Sequence, residues 1–175
     1  MRPQPKRVLD LVLGSVLLVL AGLPLIGGLV ATALRRPRGG VVVRETVTGL
    51  GGRPFTLYTL NTRRCRLDLL SWLPHVLRGQ MSLVGPAPLP PGTPGAELGW
   101  RRHMRPGLTG LAQIRRGSAL PWDEPLLLDQ HYVEHHWMGL DVALLLRTPA
   151  TLRTVPGQAH LSDADHRLRG YSAAE

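Results

Sequence analysis

The sequence predicts a mostly helical α+β protein with an N-terminal helix hairpin that re-enters a membrane, a small β-hairpin, and a loop-rich helical body. Three observations carry that expectation. Residues 11–34 form a run without a single charge, longer at helical rise than a hydrocarbon core is thick. Two short extended stretches flank a glycine turn near residue 50. Beyond residue 60 the apolar side chains recur at helical spacing, interrupted again and again by proline and glycine. The expected division is a membrane hairpin with basic flanks over 1–38, a body over 39–157 and a polar, frayed tail over 158–175.

Composition narrows the chemistry. At 175 residues and 43% hydrophobic, the chain suits one domain with a core. One cysteine, Cys65, leaves no disulfide framework and no sulfur-rich zinc site. The 20 glycines and 16 prolines lack the period of collagen. Basic residues outnumber acidic ones 21 to 12, and Lys6 is the only lysine. Arginine's planar fork suits phosphate, whether on a nucleotide, a lipid head group or a nucleic acid. Within residues 35–116 the acidic side chains are only Glu45, Asp68 and Glu97, set among many arginines, so this stretch faces anions. With 3 Tyr, 1 Phe and 4 Trp, the stacking surface for nucleic acid is thin, and none is expected as a partner.

Each element follows from local chemistry. Arg2, Lys6 and Arg7 precede the apolar run, and Arg35, Arg36 and Arg38 follow it. Both flanks therefore favour the cytoplasmic side, which a re-entrant hairpin satisfies. Pro24, near Gly22, Gly27 and Gly28, supplies the bend, and Asp10 would sit at head-group depth beside Lys6 or Arg7. A single spanning helix and a cleaved signal peptide compete with this reading. Residues 41–43 and 55–60 make the hairpin around residues 49–52. A central helix over 63–79 should kink at Pro74, and residues 82–95 should be an irregular loop. A short helix over 97–105 and a break at 106–110 follow. Asp123 and Glu124 mark the first turn of a helix to about residue 137, and a last helix from Leu140 is interrupted near Pro149. Leu144, Leu145, Leu146, Trp137 and Met138 either close the core or lie on the bilayer as an amphipathic surface.

Three strings then carry a resemblance: Gly49-Leu50-Gly51-Gly52-Arg53-Pro54-Phe55, Leu77-Arg78-Gly79-Gln80-Met81-Ser82-Leu83-Val84-Gly85-Pro86, and Arg105-Pro106-Gly107-Leu108-Thr109-Gly110-Leu111-Ala112-Gln113. Together with Lys6, Arg7 and Asp10, and with Asp129, Tyr132, Val133, Asp141 and Thr148 further on, the chain resembles the bacterial sugar transferases, the monotopic phosphoglycosyl transferases. The resemblance implies transfer of a sugar phosphate from a nucleotide sugar to undecaprenyl phosphate at the cytoplasmic face of the bacterial inner membrane. It also implies an Asp-Glu pair, with the Asp as nucleophile and Mg²⁺ as cofactor.

Counted back from Met81, the pair falls on Asp68 and Leu69, so the carboxylate that would bind metal is a leucine here. The Gly-Pro-Arg-Pro of the family is Gly85-Pro86-Ala87-Pro88. Residues that shape the backbone remain, whereas several that would hold phosphate or metal do not. The alternative is therefore a catalytically silent relative that binds lipid phosphate or nucleotide, or partners an active enzyme. Asp68 is the candidate nucleophile, against a plain role near a helix start, and Arg78, Arg102, Arg105 and Arg116 are the candidate phosphate ligands, against ordinary surface arginines. His131 and His135 have metal-ligand spacing, but no third ligand accompanies them in sequence.

Overall fold

In the computed structural model, residues 5–35, 40–62, 66–115 and 124–154 are described, and the tail expected at 158–175 lies outside them. Helix α1 spans Pro5–Arg35, 31 residues or about 46 Å at helical rise. It does not divide at Pro24, which sits inside a continuous helix. A proline removes one backbone hydrogen bond but has a helical φ, so an otherwise strongly apolar helix can run through it. The buried residues of α1 are Asp10, Gly14, Ala21 and Thr32, spaced by about one, two and three turns, and so form one stripe. Val12, Val19, Leu20, Leu23, Ile26 and Leu34 point away from the body and are exposed. Among the described residues, α1 is the one helix long and apolar enough to cross a membrane.

The expected β-hairpin is present. β1 (Val42–Thr48) pairs antiparallel with β2 (Pro54–Leu60), with Val47 opposite Phe55 and Glu45 opposite Leu57. A 3₁₀ turn at Leu50–Gly52 joins them, and Gly51 and Gly52 take positive φ there. The central helix is two short ones, α2 (Leu67–Leu70) and α3 (Leu73–Arg78), separated just before Pro74. Pro74 thus ends up in the first turn of α3, where its missing N–H costs nothing.

The expected loop from residue 82 begins instead as β3 (Ser82–Val84), which pairs in parallel with β4 (Gly107–Thr109). Three-residue strands are too short for any period to show in sequence. The glycines beside them have a physical reason. A Cβ on Gly107 would lie 2.1 Å from the Gly85 nitrogen, and one on Gly110 would lie 2.1 Å from the Gly85 oxygen. The second and third strings quoted above are therefore two sides of one close backbone crossing.

A 3₁₀ turn at Gly99–His103 replaces the short helix expected there, and α4 (Leu111–Ile114) follows β4. α5 covers Pro125–His135, with Glu124 as its N-cap residue, while Asp123 is outside the described residues. α6, Met138–Thr154, continues through Pro149 rather than stopping there. The core joins Val47, Leu57, Trp72, Leu73, Val76, Met81, Leu83, Val84, Tyr132 and Leu144. The leucine cluster of α6 splits: Leu144 closes this core and Leu146 faces outward with Trp137 and Val142.

Candidate active site

Asp68 occupies the first turn of α2, and local bonds fix that turn against the hairpin. Ser71 Oγ donates to the Asp68 carbonyl at 2.5 Å and accepts from the Leu60 N–H at 3.1 Å. Trp72 Nε1 donates to Thr59 Oγ1 at 2.8 Å. The residue leading into α2, Arg66, has φ 54° and ψ 33°, the left-handed region. It is the only non-glycine residue with positive φ among those described. For an L-residue that conformation costs roughly 1–2 kcal/mol.

The Asp68 carboxylate is half-buried. Its Oδ1 has no hydrogen-bond partner, and Arg66 Nε, also without one, stands 4.0 Å away. Leu69 is turned by one helical step into the hydrophobic core and is 6% exposed. A residue in this position belongs to the core with Trp72 and Leu73, so position 69 supplies no second carboxylate beside Asp68.

The arginines expected to hold phosphate have different surroundings. Arg105 Nε donates to the Gly79 carbonyl at 2.8 Å, helping Arg7 to close the C-terminus of α3. Arg7 donates to the Val76 carbonyl at 2.6 Å and the Leu77 carbonyl at 2.8 Å, where a cation meets the negative end of the helix. Arg78 is exposed in the last turn of α3, and Arg102 is exposed with its side chain next to Gly52. No hydrogen bond or ion pair among the described residues joins Asp68 to Arg78, Arg102 or Arg105; its ion-pair partner is Arg66. Arg116 lies outside the described residues.

Asp10 bonds β3 rather than the Lys6 or Arg7 expected beside it. It is 2% exposed, and it accepts from Ser82 Oγ at 2.8 Å and from the Leu83 N–H at 2.9 Å. Asp10 lies on the inner stripe of α1, so it meets β3, whose two donors need an acceptor away from water. Lys6, one turn earlier, bonds Asp141 at 2.6 Å and the Tyr132 hydroxyl at 2.9 Å. Tyr132 donates to the other Asp141 oxygen at 2.5 Å, and burial followed by this carboxylate raises its pKa. Asp129 accepts from Arg101 at 2.5 Å and from the Ala87 N–H at 3.0 Å, and Arg101 donates to the Ala87 carbonyl at 2.7 Å. Burial lowers the Arg101 pKa while the Asp129 charge opposes the shift. Thr109 and Thr148 are hydrogen-bonded at 2.9 Å.

These ties join α1, β3, α5 and α6, and the residues that make them were not separable from catalytic ones by sequence. Spacing alone cannot show that an aspartate is buried. His75 is another. Its Nε2 accepts from the Tyr58 N–H at 3.2 Å, so its Nδ1 carries the proton and donates to Gln80 Oε1 at 2.7 Å. Burial lowers its pKa, the Gln80 bond opposes that, and the charge of Arg78 adds to it.

The family resemblance implies magnesium, and the donor set can be judged. No group of three His, Cys, Asp or Glu side chains exists among the described residues, His131 and His135 included. Asp68 is one carboxylate, with Arg66 as its ion-pair neighbour, and does not by itself form a resident magnesium cage.

The bacterial sugar transferase family model matches residues 61–154. A UDP-glucose:undecaprenyl-phosphate glucose-1-phosphate transferase of Caulobacter vibrioides is 33% identical, the match covering 85% of this chain and 70% of that protein. The uncharacterized sugar transferase EpsL of Bacillus subtilis is 34% identical over 62% of this chain and 67% of its own length. An undecaprenyl-phosphate glucose phosphotransferase of Komagataeibacter xylinus is 31% identical over 82% of this chain but 35% of its own length.

Proposed function

Because this chain belongs to the bacterial sugar transferase family, we propose that it moves a sugar phosphate from a nucleotide diphosphate sugar to undecaprenyl phosphate at the cytoplasmic face of a bacterial inner membrane, as a first step of glycan or exopolysaccharide assembly. The names of its relatives support the donor and acceptor classes. The observation that carries the reading is the partly exposed Asp68 side chain in the first turn of α2, its Oδ1 reached by no hydrogen bond, on a body attached to a 31-residue apolar helix.

The chemistry needs two substrates of different solubility to meet. One is a dissolved polyanion, and the other is a phosphate on a lipid. In the proposed sequence, an Asp68 oxygen attacks the phosphorus that bears the sugar. The bond to the nucleoside monophosphate breaks, and that group leaves with the bonding electrons. An oxygen of the lipid phosphate then attacks the same phosphorus and frees Asp68. Magnesium carried by the diphosphate would take an Asp68 oxygen as its protein ligand and neutralise charge.

The membrane placement rests on α1. Its first turns dock on α3 through Arg7, and Gly28 meets Leu60 and Leu67 near its other end. Contacts with the body near both ends, and arginines at both flanks, support keeping both ends of α1 on one side of the membrane. The outward residues Trp137, Val142 and Leu146 support contact of α6 with the bilayer surface.

A second reading, the silent relative, is favoured by one observation: Leu69 is inside the core and supplies no oxygen. One assay separates the two. Full-length protein in detergent, given labelled UDP-glucose and related UDP-sugars with undecaprenyl phosphate, is expected to make labelled lipid and release UMP, and Asp68→Asn should stop both. Donor or lipid binding without release would support the silent reading instead.

A further inference from the structure

The inner face of α5 is pinned to the body. Asp129 bonds Arg101, Tyr132 bonds Asp141, and both α5 residues are buried. The helical period then sends His131, Glu134 and His135 outward, and all three are exposed. His131 and His135 are one turn apart, with ring centres 4.4 Å from each other. His135 Nδ1 lies 3.1 Å from the His131 carbonyl oxygen. A carbonyl only accepts, so Nδ1 carries the proton and Nε2 keeps its lone pair on the far side of the ring. An imidazole oriented in this way, by an N–H on a backbone carbonyl, is set up as a metal ligand.

We propose that His131 and His135 together bind a divalent transition-metal ion of the class that takes imidazole nitrogen, represented by Zn²⁺, on the last turn of α5. The site is separate from Asp68 and does not depend on the transferase reading. Zinc–nitrogen bonds are about 2.0–2.1 Å long, so two tetrahedral nitrogen ligands stand about 3.4 Å apart. Rings centred 4.4 Å apart reach that spacing by turning about side-chain bonds, with the backbone as it is. The second nitrogen binds intramolecularly, which gives the pair an affinity that a lone surface histidine lacks.

Neighbouring groups define the kind of site. Glu134 is engaged by Gln130 at 2.8 Å, and no third His, Cys, Asp or Glu completes a group among the described residues. Water therefore fills the remaining positions, and the ion exchanges with solvent. Magnesium, which prefers oxygen, is a poor occupant. The helix end favours a cation as well. The carbonyls of His131 and Val133 lie near the C-terminus of α5 and accept from the rings of His135 and His136. A divalent ion beside them meets the negative end of the helix dipole. Bound there, it ties residues 131 and 135 together and resists fraying of the turn that leads to α6 at Met138.

The test titrates zinc chloride calorimetrically into full-length, untagged protein in detergent, with excess Mg²⁺ present. Wild type is expected to bind zinc. His131→Gln and His135→Gln should each weaken the tightest phase by about tenfold or more, and His136→Gln should leave it unchanged. All three side chains are exposed, so without zinc the variants should melt with the wild type. Zinc should raise the melting temperature of wild type but not that of the His131→Gln/His135→Gln double variant. No zinc uptake by wild type would overturn the proposal. So would uptake indifferent to both substitutions, or an equal loss in His136→Gln.

Discussion

At residue scale, Asp68 and Leu69 are neighbours in sequence and lie about 100° apart around α2. The first is partly exposed with Arg66 as its ion-pair neighbour, and the second lies in the core with Trp72, Leu73 and Val76. Restoring the family's acidic residue with Leu69→Glu would place a carboxylate in that cluster. A buried charge without a partner costs roughly 3–5 kcal/mol. The variant should therefore unfold at a clearly lower temperature and gain no nucleotide release; a faster release would show that position 69 reaches the donor. His75 makes a second residue-scale prediction. It is neutral in the fold, with a pKa below the ordinary value of 6.5. Between that ordinary value and the lowered one, the unfolded chain binds a proton that the folded one does not, so stability is full above about pH 6.5 and falls as pH drops below it. Denaturant titrations from pH 8 to pH 5 should show that slope, and His75→Asn should flatten it even if its stability at pH 8 is lower. An unchanged slope would assign the effect to other groups.

At the scale of elements, the ties explain which residues kept their places. Asp10 serves β3, Lys6 serves Asp141 and Tyr132, and Asp129 serves Arg101 and the Ala87 backbone. Asp10→Ala would leave the Leu83 N–H and the Ser82 hydroxyl buried without an acceptor, at about 1–3 kcal/mol each. Thermal unfolding of Asp10→Ala, Ser82→Ala and the double variant should show the double costing less than the sum, because one donor is then removed along with its acceptor. Strict additivity would mean that the two do not interact. Much at this scale was legible. The hairpin, the long apolar helix and the helices α5 and α6 all follow from period and punctuation. β3 and β4 were not, since three residues carry no period and their partner lies more than twenty positions away. The positions of Pro24 and Pro149 misled in the same direction, because both were accepted inside helices.

At the scale of the whole molecule, the chain is a body with one apolar helix along it, and the function turns on where that helix puts the body. Asp68 could be numbered as a candidate because the string through Met81 fixes its position. The bond of Arg105 to the Gly79 carbonyl and the burial of Asp10 were not legible, because a charge pattern does not reveal which face of the fold a side chain meets. If both ends of α1 stay on one side, cysteines placed at Arg2 and Arg38 in a Cys65→Ser chain should share the same labelling in intact membranes with a reagent that cannot cross. Opposite accessibility would contradict that placement.

The most direct measurement is the mass of the Asp68 peptide after wild-type protein in lipid discs is mixed with UDP-glucose and related UDP-sugars, without lipid acceptor, and quenched in acid. A sugar-phosphate mass on Asp68, absent from Asp68→Asn and removed by adding undecaprenyl phosphate, is the expected result. Release of UMP with no such mass on Asp68 at any time point would contradict the account.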